Sequence, residues 1–206
     1  MGRFERSQTK NEGIMLKNEK IKQLYSRYQR EFCDFEVVLG EGNIDAKIFL
    51  IGEAPGKDEV LQGKPFVGMA GKNLSNFLDT INMKREDIYI TNTIKYRLSK
   101  INPKTGRVVN RPTTKKDLAQ NVGYLYEEID IINPTYIVTL GNVPLTAITN
   151  NNAIKIGDVH GRLHDVKIGA KCYKLYPLYH PASVIYNRGL KETYLEDMQN
   201  FLHVLE

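Results

Sequence analysis

Apolar residues along this chain recur with two periods. Four short runs are almost continuously apolar: residues 46–52 (AKIFLIG), 87–92 (DIYITN), 135–141 (TYIVTLG) and 173–179 (YKLYPLY). Their length and their β-branched and aromatic content predict buried strands. Pro177 in the last run predicts an edge position or a bend, because proline lacks the N–H that a central ladder needs. Between the runs the apolar positions take helical spacing. Ile21, Leu24, Tyr25 and Tyr28 mark one side of a helix over 18–32. Leu74, Phe77, Leu78 and Ile81 do so over 71–81, and Leu118, Val122, Leu125, Ile129 and Ile132 over 114–132. A short helix is expected over 143–148, and Tyr194, Met198, Phe201 and Leu202 face inward on a last one over 190–204. Residues 156–166 read as a turn or hairpin leading into the fourth strand. Strands alternating with helices predict an α/β fold, a parallel sheet covered on both faces.

The chain has 206 residues, of which 41% are hydrophobic. That is enough for one domain with a proper core, expected over residues 15–206 behind a polar N-terminal extension of residues 1–14. No apolar run is long enough to span a membrane, and the first residues lack the apolar segment of a secretory signal. Cys33 and Cys172 lie far apart in sequence, so a reduced, cytoplasmic protein is expected. The net charge of +5 is modest. Its distribution says more: Lys95, Arg97, Lys100, Lys104, Arg107, Arg111, Lys115 and Lys116 follow the second strand with no acid among them, which suits a polyanion.

The candidate chemistry sits where strands end. Gly52-Glu53-Ala54-Pro55-Gly56, Thr91-Asn92 and His180-Pro181-Ala182-Ser183 each directly follow an apolar run, and Pro65-Phe66-Val67-Gly68 lies between the first two. Open α/β sheets gather ligands at the carboxyl ends of their strands. A carboxylate, a carboxamide and an imidazole beside a phenyl ring can bond a flat polar ring and stack on it. Two other strings invite different readings and fail. Gly52 to Asp58 has three residues between its glycines and an Asp after Lys57, whereas a phosphate loop needs four and a Ser or Thr. Gly157-Asp158-Val159-His160-Gly161 resembles a metallophosphoesterase block, but the further Asn and His blocks of such enzymes do not follow it. A polar turn is expected there, with no metal.

Taken in order, GEAPGKDE, GKPFVGMAGKNL, YITNTIKYR, NRP, IVTLGN and LYHPAS resemble the family-4-like uracil-DNA glycosylases over roughly residues 33–205. The resemblance implies a three-layer α/β/α sandwich around a four-stranded parallel sheet. It implies a monofunctional enzyme that hydrolyses the N-glycosidic bond of deoxyuridine in DNA, starts base excision repair and releases free uracil. The target base must leave the stack and be read by its edge and by stacking. By the resemblance, Asn92 pairs with uracil O4 and N3, Phe66 stacks on the ring, and His180 bonds O2 as negative charge develops there. Gly52, Ala54 and Gly56 contribute pocket backbone. Glu53 stands at the pocket wall, where it either holds a water or crowds C5 against thymine's methyl. Ile185 falls where the family inserts an apolar wedge, and Ser183, Arg188, Lys191, Lys95 and Arg111 are expected at the DNA. A monomer is expected, with no membrane partner. The alternative is a catalytically weak uracil- or DNA-binding module on the same fold.

The chain also departs from that pattern. Many relatives hold an iron–sulfur cluster on four cysteines, and this chain has two. Tyr96 stands where a ligand Cys is usual, and Asn121 or a neighbour replaces another. The expectation is therefore no cluster, aromatic packing around Tyr96, and a buried Cys172. Ala54 stands where some members of the superfamily carry a water-activating Asp. Residues 98–110 form an insertion before Asn110-Arg111-Pro112, with DNA contact its expected role.

Overall fold

The computed structural model describes residues 3–187 and 189–205, without the side chains of residues 3–10, 185 and 186. In chain order the elements are α1 (Arg3–Glu31), β1 (Glu41–Gly42), β2 (Ile48–Gly52), α2 (Lys57–Gln62), α3 (Met69–Thr80), β3 (Tyr89–Asn92), β4 (Ser99–Ile101), β5 (Val108–Asn110), α4 (Lys115–Ile132), β6 (Tyr136–Leu140), α5 (Asn142–Thr149), α6 (Ile156–Val159), β7 (His164–Ile168), β8 (Lys171–Leu178), α7 (Pro181–Tyr186) and α8 (Leu190–Leu205). The four parallel strands expected from the sequence are β3, β2, β6 and β8, adjacent in that order. The sheet is nevertheless six-stranded, because antiparallel β1 and β7 extend its two edges.

Side-chain alternation along β2 explains the layers. Ile48 and Leu50 point to one face, where they meet Leu74, Phe77 and Leu78 of α3 and Met198 and Phe201 of α8. Phe49 and Ile51 point to the other, against Leu125, Ile129 and Ile132 of α4 and Leu145 and Ile148 of α5. A strand buried on both faces reads as an unbroken apolar run, which is why these strands were legible. Among the described residues no helix is long and apolar enough to cross a membrane.

Three expectations change. Helix α1 spans Arg3–Glu31 and so begins well before the helix expected over residues 18–32. Strand β8 is internal, paired with β6 and β7. Pro177 is tolerated because the β7 ladder ends at Leu175, two residues before it. Cys172 is exposed, since it sits beside the turn of the β7–β8 hairpin, where Gly169 takes a φ of +60°.

Lys95 requires a larger correction. Expected at DNA, it is 1% exposed, its ammonium 2.8 Å from Glu128 of α4, which is 0% exposed. The same ammonium donates to the backbone carbonyl of Asn92 at 3.1 Å. Glu128 also accepts from Thr91 at 3.3 Å and from Tyr25 of α1, which bonds Tyr89 at 2.6 Å. Burial and the neighbouring Glu128 charge push the Tyr25 phenol well up, so it stays a donor. Gly40 makes room for this cluster: a Cβ there would lie within 3 Å of Tyr25, Glu128 and Thr91 atoms. One ion pair thus joins α1, α4 and the end of β3. Lys95→Met should lower the free energy of unfolding by about 3–5 kcal/mol, because it strands a buried carboxylate. Urea denaturation measures this, and a loss below about 1 kcal/mol would remove the pair from its anchoring role.

Candidate active site

The strand-end strings converge on a cavity of about 210 Å³ lined by Ala54, Gly56, Glu59, Phe66, Ala70, Asn92, Asn110, His180 and Ala182. Sites for drug-sized ligands run to about 300–1,000 Å³, so this one suits a single ring. A larger groove of about 650 Å³ runs along α1 and α4, but its charges are largely paired with one another, Arg27 with Glu127 and Lys171 with Asp130.

Each wall has a local cause. Gly52 and Asn92 are register partners at the ends of β2 and β3. Any Cβ on Gly52 would sit 2.4 Å from the Asn92 amide oxygen and from the Phe66 ring, so only glycine fits behind these two walls, although Gly52 itself does not line the cavity. Asn92 is 3% exposed and lines the cavity, and among the described residues no hydrogen bond reaches its carboxamide, whose atoms are not sealed in the interior. An amide without a protein partner, facing a cavity, is poised for a ligand.

Phe66 holds a φ of +53°, a conformation that bulky residues avoid. The surroundings enforce it. Arg85 donates to the carbonyls of Pro65 and Phe66 at 2.9 and 3.0 Å. Gly71 of α3 lies so close beneath that a Cβ would overlap the Phe66 carbonyl. Glu59 accepts from the N–H groups of Gly56, Val67 and Gly68 at 3.1, 3.1 and 2.8 Å, tying the two glycine-bearing loops together. The Phe66 ring then lies 6.1 Å from that of His180, centre to centre.

His180 caps α7, with Pro181 at the first helical position. Its Nδ1 accepts from the Ala182 N–H at 3.1 Å. In the neutral ring this assigns the proton to Nε2, the one donor left. Burial holds the imidazole below its ordinary pKa, against the opposing charges of Glu53 and Glu59. His180 is therefore a neutral donor at neutral pH.

Not every expected residue is at the cavity. Glu53 does not line it: its carboxylate accepts from the Thr113 hydroxyl, and its backbone carbonyl accepts from Ile94 at 3.0 Å. Arg111 holds Asp117 with two bonds of 2.7 and 2.9 Å, which depress the Asp117 pKa well below the carboxylate range. It braces the chain before α4, where Asp117 also completes the capping box of Thr114. Ser183 is half-buried on α7 and Lys191 is exposed on α8. The side chain of Ile185 and all of Arg188 lie outside the described residues. Conversely, Ala70 and the clamping role of Glu59 were missed. The spacing Gly56-x-x-Glu59, a capping-box interval, was the available signal for the latter.

The region around Tyr96, where aromatic packing is expected from the sequence, is packed with rings. Tyr96 is 2% exposed, stacked on Phe35 at 4.3 Å and tilted against Phe32 at 5.1 Å. Asn121, fully buried, bonds Tyr28, Tyr96 and the Asp117 carbonyl. Two exposed cysteines on different elements do not fit a four-cysteine cluster. Among the described residues no three His, Cys, Asp or Glu side chains group as metal ligands, and His160 instead pairs with Asp197 at 2.8 Å.

Comparison with known proteins agrees with this geometry. The model of the uracil DNA glycosylase superfamily matches residues 39–203. The type-4 uracil-DNA glycosylase of Archaeoglobus fulgidus is 38% identical over 165 residues, 79% of this chain and 78% of its own. That of Thermotoga maritima is 37% identical over 79% of this chain and 80% of its own, and that of Saccharolobus solfataricus 35% over 82% and 76%. An unpaired amide, a neutral imidazole and a constrained phenyl ring around a one-ring cavity thus stand in a chain that belongs to the uracil-DNA glycosylase superfamily.

Proposed function

We infer that this protein is a uracil-DNA glycosylase: it takes a flipped deoxyuridine into the cavity and hydrolyses its N-glycosidic bond. The observation that carries the reading is the Asn92 carboxamide, which no described residue bonds and which lines a cavity of about 210 Å³. Its oxygen accepts from uracil N3–H and its amide donates to O4. Cytosine presents the opposite polarity at both atoms and leaves the amide doubly mismatched. Phe66 stacks on the ring, and the close backbone of Gly52, Ala54 and Gly56 leaves only its thickness.

Bond breaking puts negative charge on uracil, chiefly at O2 and O4. The His180 Nε2–H donates to O2, a fixed dipole aimed where charge appears. Departure of the stabilised anion leaves a sugar cation that water captures. Glu59 already accepts from three backbone N–H groups, which commits it to holding the two loops together. Glu53 has only Thr113 donating to its carboxylate among the described residues, so it is the group we assign to ordering the water. Ser183, Lys191, Arg188 and the Ile185 wedge meet the DNA around the flipped nucleotide. The enzyme works without an iron–sulfur cluster, a reading supported by the aromatic packing around Tyr96.

The primary test is incubation with a uracil-containing oligonucleotide followed by hot alkali. Scission at uracil is expected, whereas tight binding without scission would favour a binding module. Asn92→Ala and His180→Ala should each slow excision about 10²-fold or more, roughly 2.7 kcal/mol of transition-state stabilisation. Near-normal rates in both would refute the site. Since burial lowers the His180 pKa, the active neutral form persists as pH falls through the ordinary histidine value. The excision rate should stay level from about pH 8 to about pH 6.5 and drop only below that. An inflection at or above about pH 6.5 that disappears in His180→Gln would contradict the neutral-donor role. Elemental analysis of purified protein should find no stoichiometric iron.

A further inference from the structure

The insertion at residues 98–110 folds as the β4–β5 hairpin, with pairs Ser99↔Asn110, Lys100↔Val109 and Ile101↔Val108. Residues directly opposite in an antiparallel pair share a face, and faces alternate along the strand. Ser99, Ile101, Val108 and Asn110 therefore share one face. Asn110 lines the cavity, so the apolar pair prolongs the cavity wall outward. Ile101 is 69% exposed and Val108 54% among the described residues.

Charge sits around that pair. Lys100, Lys104 and Arg107 are all exposed, and among the described residues none has an acidic partner. Meanwhile the hairpin's base is fixed. Arg111 N–H donates to the Leu98 carbonyl at 2.9 Å and Arg97 donates to the Asn110 amide oxygen at 3.2 Å. The turn closes with Asn102 N–H on the Arg107 carbonyl at 2.8 Å, and Gly106 takes a φ of +67°. A firm base, a cationic rim and a bare aliphatic pair beside the cavity describe an arm for a polyanion with apolar interior surface.

We propose that the β4–β5 hairpin is a duplex-DNA-binding arm, with Lys100, Lys104 and Arg107 on phosphates and Ile101 and Val108 against the base pairs beside the flipped nucleotide. The inference rests on DNA being the substrate of the adjoining cavity. Duplex is favoured over single strand because single-strand binders stack bases on aromatic rings, and residues 99–110 contain none. Aliphatic side chains serve instead as wedges against stacked pairs in a groove.

Binding is measured on a duplex carrying one abasic-site analogue, which has no base to excise. Lys100→Ala/Lys104→Ala/Arg107→Ala should weaken duplex binding about tenfold or more and flatten the dependence of log K on log salt by roughly two to three. Ile101→Ala/Val108→Ala should slow excision from duplex about fivefold or more while leaving excision from a single-stranded oligonucleotide within about twofold, as expected of wedges that act on stacked pairs. Unchanged affinity and salt slope in the charge variant would overturn the arm. Equal losses on single strand and duplex would overturn its assignment to duplex. If the wild type binds duplex but excises no uracil, the proposed function fails while the binding result still decides the arm.

Discussion

The buried Lys95–Glu128 pair is the constraint on which the site depends. Strand β3 ends at Asn92, which lines the cavity and is the residue proposed to read the ring edge. Apolar packing holds the strand's flanks, yet it is non-directional and tolerates small slips. A charge pair in the interior tolerates none, because each unsatisfied donor or acceptor there is costly. Lys95 bonds Glu128 and the Asn92 carbonyl at once, and Glu128 in turn accepts from Thr91 and Tyr25. Helices α1 and α4 thereby help fix the Asn92 backbone through Tyr25, Glu128 and Lys95. The arrangement places an otherwise expensive buried charge where geometric precision matters most.

A second device fixes the opposite wall. The Phe66 backbone conformation is unfavourable by an order of 1–3 kcal/mol and persists only because its surroundings over-determine it. Arg85 grips its carbonyl, Glu59 grips the next two amides, and Gly71 lets α3 come up beneath. Glu59 also binds Gly56, so one carboxylate ties the loop after β2 to the loop before α3. The cavity is accordingly formed before any base arrives, and base flipping need not also bear the ordering of its walls.

What the sequence made legible follows from which interactions are local. Strands β2, β3, β6 and β8 are buried on both faces and show as apolar runs; α3, α4, α5 and α8 show their period. The strand-end placement of Asn92 and His180 came directly from those runs. Strands β1, β4, β5 and β7 were not legible, because they are short, partly solvated and defined by pairing rather than composition. The hidden roles have the same cause. Lys95 reads as one more cation in a basic stretch until α4, more than thirty residues on, brings Glu128 to it. Glu59 reads as a surface acid until the Val67 and Gly68 amides fold onto it. Pairing over such separations leaves no local trace, so a charge pattern alone misassigned Lys95 and left Arg111 without its Asp117.

The chemistry favours the leaving group over the nucleophile. Ala54 offers no base, Glu59 is committed to three backbone donors, and Glu53 faces Thr113 rather than the cavity. A mechanism that required a strongly activated water would be poorly served by this set. One in which the glycosidic bond breaks first needs mainly a stable uracil anion, and the stronger features of the site supply that. The His180 proton is fixed on Nε2 by the Ala182 N–H, and burial disfavours its second proton, so the donor's direction is set beforehand. On the proposed reading Asn92 donates to O4, the other oxygen that gains charge. Two preset dipoles in a small, partly desolvated cavity act without reorganising when the charge forms, which is where electrostatic stabilisation is most effective. On that reading the reactive sugar cation needs only a placed water, the role proposed above for Glu53.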